Sequence, residues 1–305
     1  MFYFIINPSS KTKSSRAIWQ HVNQVLHQRG IPHHVCATRY PGHASELARS
    51  VSRSDPNADI IVLGGDGTIH EVLNGLENLD TVTLGVIPTG SANDFCSGMG
   101  IPSDPSRALA AILHPVRKTS LDIGRITSAS RTSRFAVSAG IGFDAAVCHE
   151  AISSPVKSTL NALHAGPLTY SVIAARQIAL YVPGASEIRL DGDRHFRFPD
   201  TYFIAVMNQR FEGGGLMMAP NARPDDGVLD VFVCSGISRS RLIASLPAVK
   251  YGRHAGLKGA HFLKCRRIEI LMDRRRPVHA DGESGGVSRT LTADFEPAKL
   301  SVITG

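Results

Sequence analysis

The chain has 305 residues, too many for one small core, and its 43% hydrophobic and 19% charged composition is that of a globular protein rather than a disordered one. Lys and Arg exceed Asp and Glu by 33 − 26 = +7, which favours an anionic partner; with aromatics at 6% and no basic stretch interleaved with stacking residues, nucleic acid is not expected. Five scattered cysteines without Cys-x-x-Cys spacing argue against a disulfide framework or zinc site, and no apolar run approaches the ~20 residues that span a bilayer.

The opening run Phe2–Ile6 predicts a strand that stops at Asn7-Pro8, too short for a signal-peptide core, so a cytoplasmic protein is expected. Ala17, Ile18, Val22, Val25 and Leu26 then recur at helical spacing until Gly30. Strands follow at His33–Ala37, Ile60–Leu63 and Thr83–Ile87, with helices at Ala44–Val51 and Ile69–Leu76 between them. This alternation predicts a doubly wound parallel sheet with its ligand at the carboxyl ends of the strands. After about residue 118 the pattern becomes short strand-like runs: Leu121–Ile126, Arg134–Ser138, Glu187–Leu190, His195–Phe198, Tyr202–Met207, Leu229–Val233, Arg267–Leu271 and Val278–Ala280. Asp191-Gly192 gives a hairpin signal, and helices are expected at Leu168–Leu180 and Arg239–Leu246. The fold class is therefore α/β, an N-terminal parallel-sheet domain followed by an antiparallel β-rich, sandwich-like one. The final strand, Lys299–Ile303, is expected to return to the first domain.

Gly64-Gly65-Asp66-Gly67-Thr68 lies between a buried strand and a helix. Glycines there let backbone N–H groups approach a phosphate, and the following helix directs its positive end at the same place. Asp66 would repel phosphate unless a divalent cation intervened, which implies Mg²⁺ carried with a nucleotide. A plain capping turn is the competing reading. Asn7-Pro8-Ser9-Ser10-Lys11 follows the first strand, where it serves either as a phosphate or ribose contact or as a cap. Pro88 to Phe95 follows the fourth strand with a dense polar cluster, Gly213-Gly214-Gly215 demands backbone freedom or close approach, and Asp281-Gly282-Glu283 sets two carboxylates on a turn.

These segments, with Gly140-Ile141-Gly142-Phe143-Asp144 and Pro224 to Asp230, occur in an order and spacing that resembles the diacylglycerol kinase and sphingosine kinase superfamily, most of all its single-chain bacterial lipid kinases. The resemblance implies an ATP- and Mg²⁺-dependent kinase that phosphorylates a lipid hydroxyl. It implies ATP contacts from Asn7, Pro8, Ser9, Ser10, Lys11, Thr38, Gly64, Gly65, Asp66, Gly67, Thr68, Glu71, Ser91 and Asn93. Asp281 or Glu283 would be the general base, with Asp66 and Asp122 as further acidic contributors. A separate Mg²⁺ loop would use the Asp226 side chain and the carbonyls of Arg223 and Val228. The family has glycine at Ser10 and threonine at Ser91. Residues 1–117 with a returning segment at about 292–305 would then bind ATP, and residues 118–291 would take the lipid, with an apolar cleft lined from the Leu163–Leu180 region.

The expected partners are a lipid substrate and an anionic membrane surface, met peripherally through Lys250, Arg253, Lys258, Lys264, Arg266, Arg267, Arg274, Arg275 and Arg276, with a homodimer admitted. Two other readings stay open: an NAD kinase, which also uses Gly-Gly-Asp-Gly-Thr, and a non-catalytic nucleotide-fold protein that binds an anionic surface.

Overall fold

The structure is a computed structural model and describes residues 1–8, 14–129, 131–153, 178 and 180–305. Ser9, Ser10, Lys11 and all of the expected Leu168–Leu180 helix except Ile178 and Leu180 lie outside these residues. The chain forms two compact units. The first comprises Met1–Ile123, Pro224–Asp226 and Glu296–Gly305; the second comprises Gly124–Arg223 and Gly227–Phe295.

In the first unit, β1 (Phe2–Ile6), β2 (His33–Ala37), β3 (Asp59–Gly64) and β4 (Thr83–Pro88) pair in parallel in the order β2-β1-β3-β4. Ser301 and Val302 near the end of β13 (Glu283–Ile303) continue this sheet beside Thr83 and Leu84 of β4, again in parallel. Helices α1 (Ser14–Gln28), α2 (His43–Ser54), α3 (Asp66–Gly75), α4 (Asp94–Met99) and α5 (Pro105–Leu113) connect or flank the strands. Ile60, Ile61, Val62 and Leu63 of β3 are all at most 1% exposed, as a strand covered on both faces requires. Val22 and Leu26 of α1 pack with Leu109 and Ile112 of α5 against Phe4, Ile61 and Ile87. The sequence did not announce α4 and α5; Asp104 caps α5 by accepting the Arg107 N–H at 2.9 Å, with Pro105 in its first turn.

The second unit is antiparallel. It holds the end of β5 (Lys118–Ser128), β6 (Arg131–Phe135), β7 (Ser138–Gly142), β8 (Gly184–Leu190), β9 (Arg194–Met207), β10 (Leu229–Ser235), β11 (Ala260–Cys265), β12 (Ile268–Ala280) and most of β13. Helices α6 (Phe143–Ser153) and α7 (Arg239–Lys250) belong to the same unit. Side chains of β9 and β10 alternate between two apolar layers. Ile204, Val206, Val231 and Val233 enter one; Phe203, Ala205, Met207 and Phe232 enter the other with Leu242 of α7.

Three expectations change in detail. His195–Phe198 and Tyr202–Met207 are one strand, β9, which passes through Pro199. Arg267–Leu271 and Val278–Ala280 are one strand, β12, whose pairing with β13 shifts register between Leu271 and Arg276. Arg134–Ser138 divides into the end of β6 and the start of β7, the β7 strand being formed largely by the Gly140–Gly142 segment.

Candidate active site

Two groups of the expected residues take shape, one in each unit. In the first unit the loops after β3 and β4 meet backbone to backbone. A methyl group on Gly65 would stand 2.9 Å from the Gly90 Cα, and one on Gly90 would stand 2.7 Å from the Gly65 Cα, so neither position admits a side chain without displacement. Thr89 donates its N–H to the Gly64 carbonyl at 2.9 Å. Asn93 closes the second loop on itself: its side chain accepts from the Gly90 N–H at 3.0 Å and donates to the Gly90 carbonyl at 2.9 Å, with φ 54° at Asn93. Asp66 joins the loops, its Oδ1 accepting the Phe95 N–H at 3.1 Å at the start of α4. Burial and the nearby Asp66 charge push the Cys96 thiol pKa up, so Cys96 is a packing residue and not a nucleophile.

Asn7 and Thr38 come to the same strand ends. The Asn7 N–H donates to the Leu63 carbonyl at 3.2 Å and its side-chain amide donates to the Thr68 hydroxyl at 3.2 Å; the Thr38 N–H donates to the Ile6 carbonyl at 2.9 Å. Ser91 is exposed on the β4 loop. Gly67 and Thr68 form the first turn of α3, whose N–H groups begin there without a side-chain cap. The glycine cradle, the uncapped helix start and the carboxylate of Asp66 fit a nucleotide phosphate with its Mg²⁺.

Glu71 is placed differently from a direct ATP contact. Its two carboxylate oxygens accept the N–H groups of Gly42 at 2.9 Å and Ala44 at 3.1 Å, and its carbonyl accepts the Ser45 hydroxyl at 2.5 Å. Glu71 therefore caps α2 from α3 and fixes the helix that follows the β2 loop.

Asp122 is 5% exposed, pairs with the Lys299 ammonium at 2.7 Å, and donates its N–H to the Pro224 carbonyl at 2.8 Å. Lys299 also donates to the Asp225 carbonyl at 3.0 Å. Asp122 and Lys299 thus secure the loop of Arg223 to Val228, in which Asp226 is exposed and Gly227 has φ 70°. Its carboxylate and carbonyl oxygens are the donor type a hard cation takes.

In the second unit the two carboxylates of the Asp281-Gly282-Glu283 turn differ sharply. Asp281, at φ 49°, directs Oδ1 at the N–H groups of Ala136 (3.1 Å), Val137 (2.8 Å) and Ser138 (3.2 Å), and its own N–H donates to the Ser138 carbonyl at 2.8 Å. The carbonyls of that segment are held in turn: Ala136 accepts the side-chain amides of Asn208 at 2.9 Å and Gln209 at 3.1 Å. Glu283 is exposed. The glycine triplet Gly213–Gly215 is a tight turn with φ of 67°, 84° and 92°, closed by reciprocal Glu212–Leu216 backbone bonds of 2.9 and 3.0 Å. That turn delivers Glu212 to a buried cluster with Asp144 and His279, whose ligand-type atoms lie within 4.8 Å of one another. Sequence reasoning held Asp144 within a motif segment without giving it a role, read the glycine triplet only as backbone freedom or close approach, assigned nothing to His279, and did not reach Asn208, Gln209 or the Ala136–Ser138 amides.

Comparison with known proteins agrees with this architecture. Residues 1–126 match the diacylglycerol kinase catalytic domain and residues 137–304 match the YegS C-terminal NAD kinase beta sandwich-like domain. A Bacillus subtilis (strain 168) protein carrying the provisional name lipid kinase YtlR is 30% identical over 99% of both chains. A Bacillus subtilis diacylglycerol kinase is 28% identical over 93% of this chain and 89% of its own. In fold, a crystal structure of a diacylglycerol kinase from Bacillus anthracis superposes with a TM-score of 0.72 at 20% identity, covering 100% of this chain and 96% of that one. An Archaeoglobus fulgidus NAD kinase solved with ATP superposes with a TM-score of 0.52 at 15% identity, covering 99% and 93%. The fold and its two domain types are those of the diacylglycerol kinase-like enzymes. The chain belongs to the single-chain bacterial lipid kinase family and is a kinase.

Truncation of Glu71 tests its structural placement. Glu71→Ala should lower unfolding free energy by about 2 kcal/mol, the scale of lost charge-assisted bonds to backbone N–H groups. Urea denaturation checks this, and Glu71→Gln, which keeps one acceptor oxygen, should lose less.

Proposed function

We propose that this lipid kinase transfers the γ-phosphoryl group of Mg-ATP to the hydroxyl of a neutral or amphipathic lipid such as a diacylglycerol or a sphingoid base. The observation that carries the donor half is the mutual approach of Gly65 and Gly90 beside Asp66, which brings the backbones of the two loops together at the carboxyl ends of β3 and β4. When bound, Mg-ATP supplies the phosphoryl group and the metal charge that offsets the triphosphate. The chain's own contribution is positioning: the α3 amides and the Asn7, Thr38 and Ser91 side chains hold the nucleotide, and the Asp66 carboxylate faces the metal.

Of the two carboxylates on the turn, Glu283 is the better proton acceptor. Asp281 is committed to three backbone N–H groups and acts by fixing the turn. Glu283 is exposed on that fixed turn and can take the proton of the lipid hydroxyl as its oxygen bonds to phosphorus. Asp226, with the carbonyls of Arg223 and Val228, holds a second, structural Mg²⁺ in the loop secured by Asp122 and Lys299.

Docking on an anionic membrane draws on a narrower set than all nine basic residues. Arg276 is 6% exposed, donates to the Val182 carbonyl at 2.8 Å and lies 4.9 Å from the Tyr181 ring centroid, so it is an interior residue. Arg267 pairs with Asp294 at 2.9 Å and Lys264 with Asp230 at 3.3 Å. Lys250, Arg253 and Lys258 are exposed in the same stretch as exposed Tyr251 and Leu257, the mixture an interfacial segment uses.

Asp66→Asn keeps an acceptor for the Phe95 N–H while removing the charge. It should fold with an unchanged melting temperature and lose Mg²⁺-dependent lipid phosphorylation by at least about a hundredfold. An assay with labelled ATP against diacylglycerol, a sphingoid base and NAD checks both donor and acceptor; turnover of NAD alone would replace the lipid reading with the NAD kinase one. Separately, changing Lys250, Arg253 and Lys258 together to Glu should abolish cosedimentation with vesicles containing anionic lipid, and wild-type binding should weaken steeply with salt.

A further inference from the structure

The Asp281-Gly282-Glu283 turn is gripped a second time, at Gly282. His279, 0% exposed in β12, accepts the Gly282 N–H on Nδ1 at 3.3 Å. Its Nε2 faces Asp144 Oδ2 and Glu212 Oε1, each at 3.3 Å. A ring nitrogen that accepts a hydrogen bond carries no proton, so the ring proton resides on Nε2. A metal on Nε2 would need that proton on Nδ1, where the Gly282 N–H already points; the cluster is therefore a hydrogen-bonded one.

The space for it is built. A methyl group on Gly140, which pairs with His279 across β7 and β12, would stand 2.1 Å from Asp144 Oδ2 and 2.6 Å from His279 Nε2. Burial opposes charge on the imidazole, but the Glu212 and Asp144 carboxylates outweigh it and raise the His279 pKa to about 9, whereas the Gly282 N–H aimed at Nδ1 opposes a second ring proton there.

We propose that His279 is a positioning residue for the proton-accepting turn: its Nδ1 lone pair holds the Gly282 amide, and Asp144 and Glu212 at Nε2 orient the ring with its Nε2–H toward them. The inference rests on the reading of Asp281-Gly282-Glu283 as the proton-accepting turn. Asp281 is fixed by the amides of Ala136 to Ser138 and Gly282, at φ 81°, by His279, so Glu283 follows from two held neighbours.

Two substitutions separate the ring's two nitrogens. Asparagine at 279 sets its oxygen near the Nδ1 position and glutamine reaches the Nε2 position. His279→Asn should keep turnover within about threefold of wild type, whereas His279→Gln should lose about tenfold or more in kcat with the KM values for ATP and lipid little changed. Equal losses in both variants that track their melting temperatures would overturn the proposal. Long-range ¹H–¹⁵N spectra of the histidine-labelled wild-type protein provide a readout independent of catalysis. An unprotonated Nδ1 and a protonated Nε2 at neutral pH are expected; a protonated Nδ1, with or without a bound metal by elemental analysis, would overturn it. Full turnover of Glu283→Gln would instead sink the base assignment, and the spectra would still report on His279.

Discussion

Backbone contact between Gly65 and Gly90 is the constraint on which the first unit's chemistry depends. Two adjacent parallel strands, β3 and β4, end at the same level, and their loops approach until a single methyl group on either would overlap the other's Cα. Only with both side chains absent can the amides of both loops face one ligand. Asp66 and Asn93 then hold the arrangement, one by taking the Phe95 N–H and the other by pairing twice with Gly90. Glu71 extends the same logic outward, since the helix after the β2 loop starts on its carboxylate.

The second unit shows a different arrangement, a turn tied down by hydrogen bonds that leaves one carboxylate exposed. A lone turn with two consecutive positive φ values would fluctuate. Here Asp281 is given to the amides of Ala136 to Ser138, and Asn208 and Gln209 hold the carbonyl behind them. The result is a division of labour within three residues: a buried-side anchor, a glycine, and an exposed acid.

Much of this was legible in the chain. The parallel strands could be read because strands buried on both faces are continuous apolar runs, and the glycine and carboxylate motifs mark their ends directly. What could not be read depends on contacts far apart in sequence. β7 was hidden because Gly140-Ile141-Gly142 looks like a loop, and its glycines are explained only by neighbours from other segments: the Asp144 carboxylate and His279 ring beside Gly140, and Tyr202 and Phe203 beside Gly142. His279 and Asp144 are 135 residues apart, so nothing local pairs them. β9 and β12 looked broken at Pro199 and at Arg274 to Arg276 because a proline and a charged run interrupt the apolar pattern there, yet each strand continues, with a register shift in its pairing nearby. The basic run looked uniform; its partners Asp230 and Asp294 and the Tyr181 ring are supplied by other segments.

The account stands most directly on the claim that the Gly65–Gly90 approach forms the nucleotide site. Isothermal titration calorimetry of Mg-ATP with wild type and Gly65→Ala tests it, because the added methyl group meets Gly90 and nothing in the second unit's turn. Wild type should bind Mg-ATP and the variant, still folded by circular dichroism, should bind it at least about tenfold more weakly. Equal affinity in the two proteins would contradict the account and place the nucleotide elsewhere on the chain.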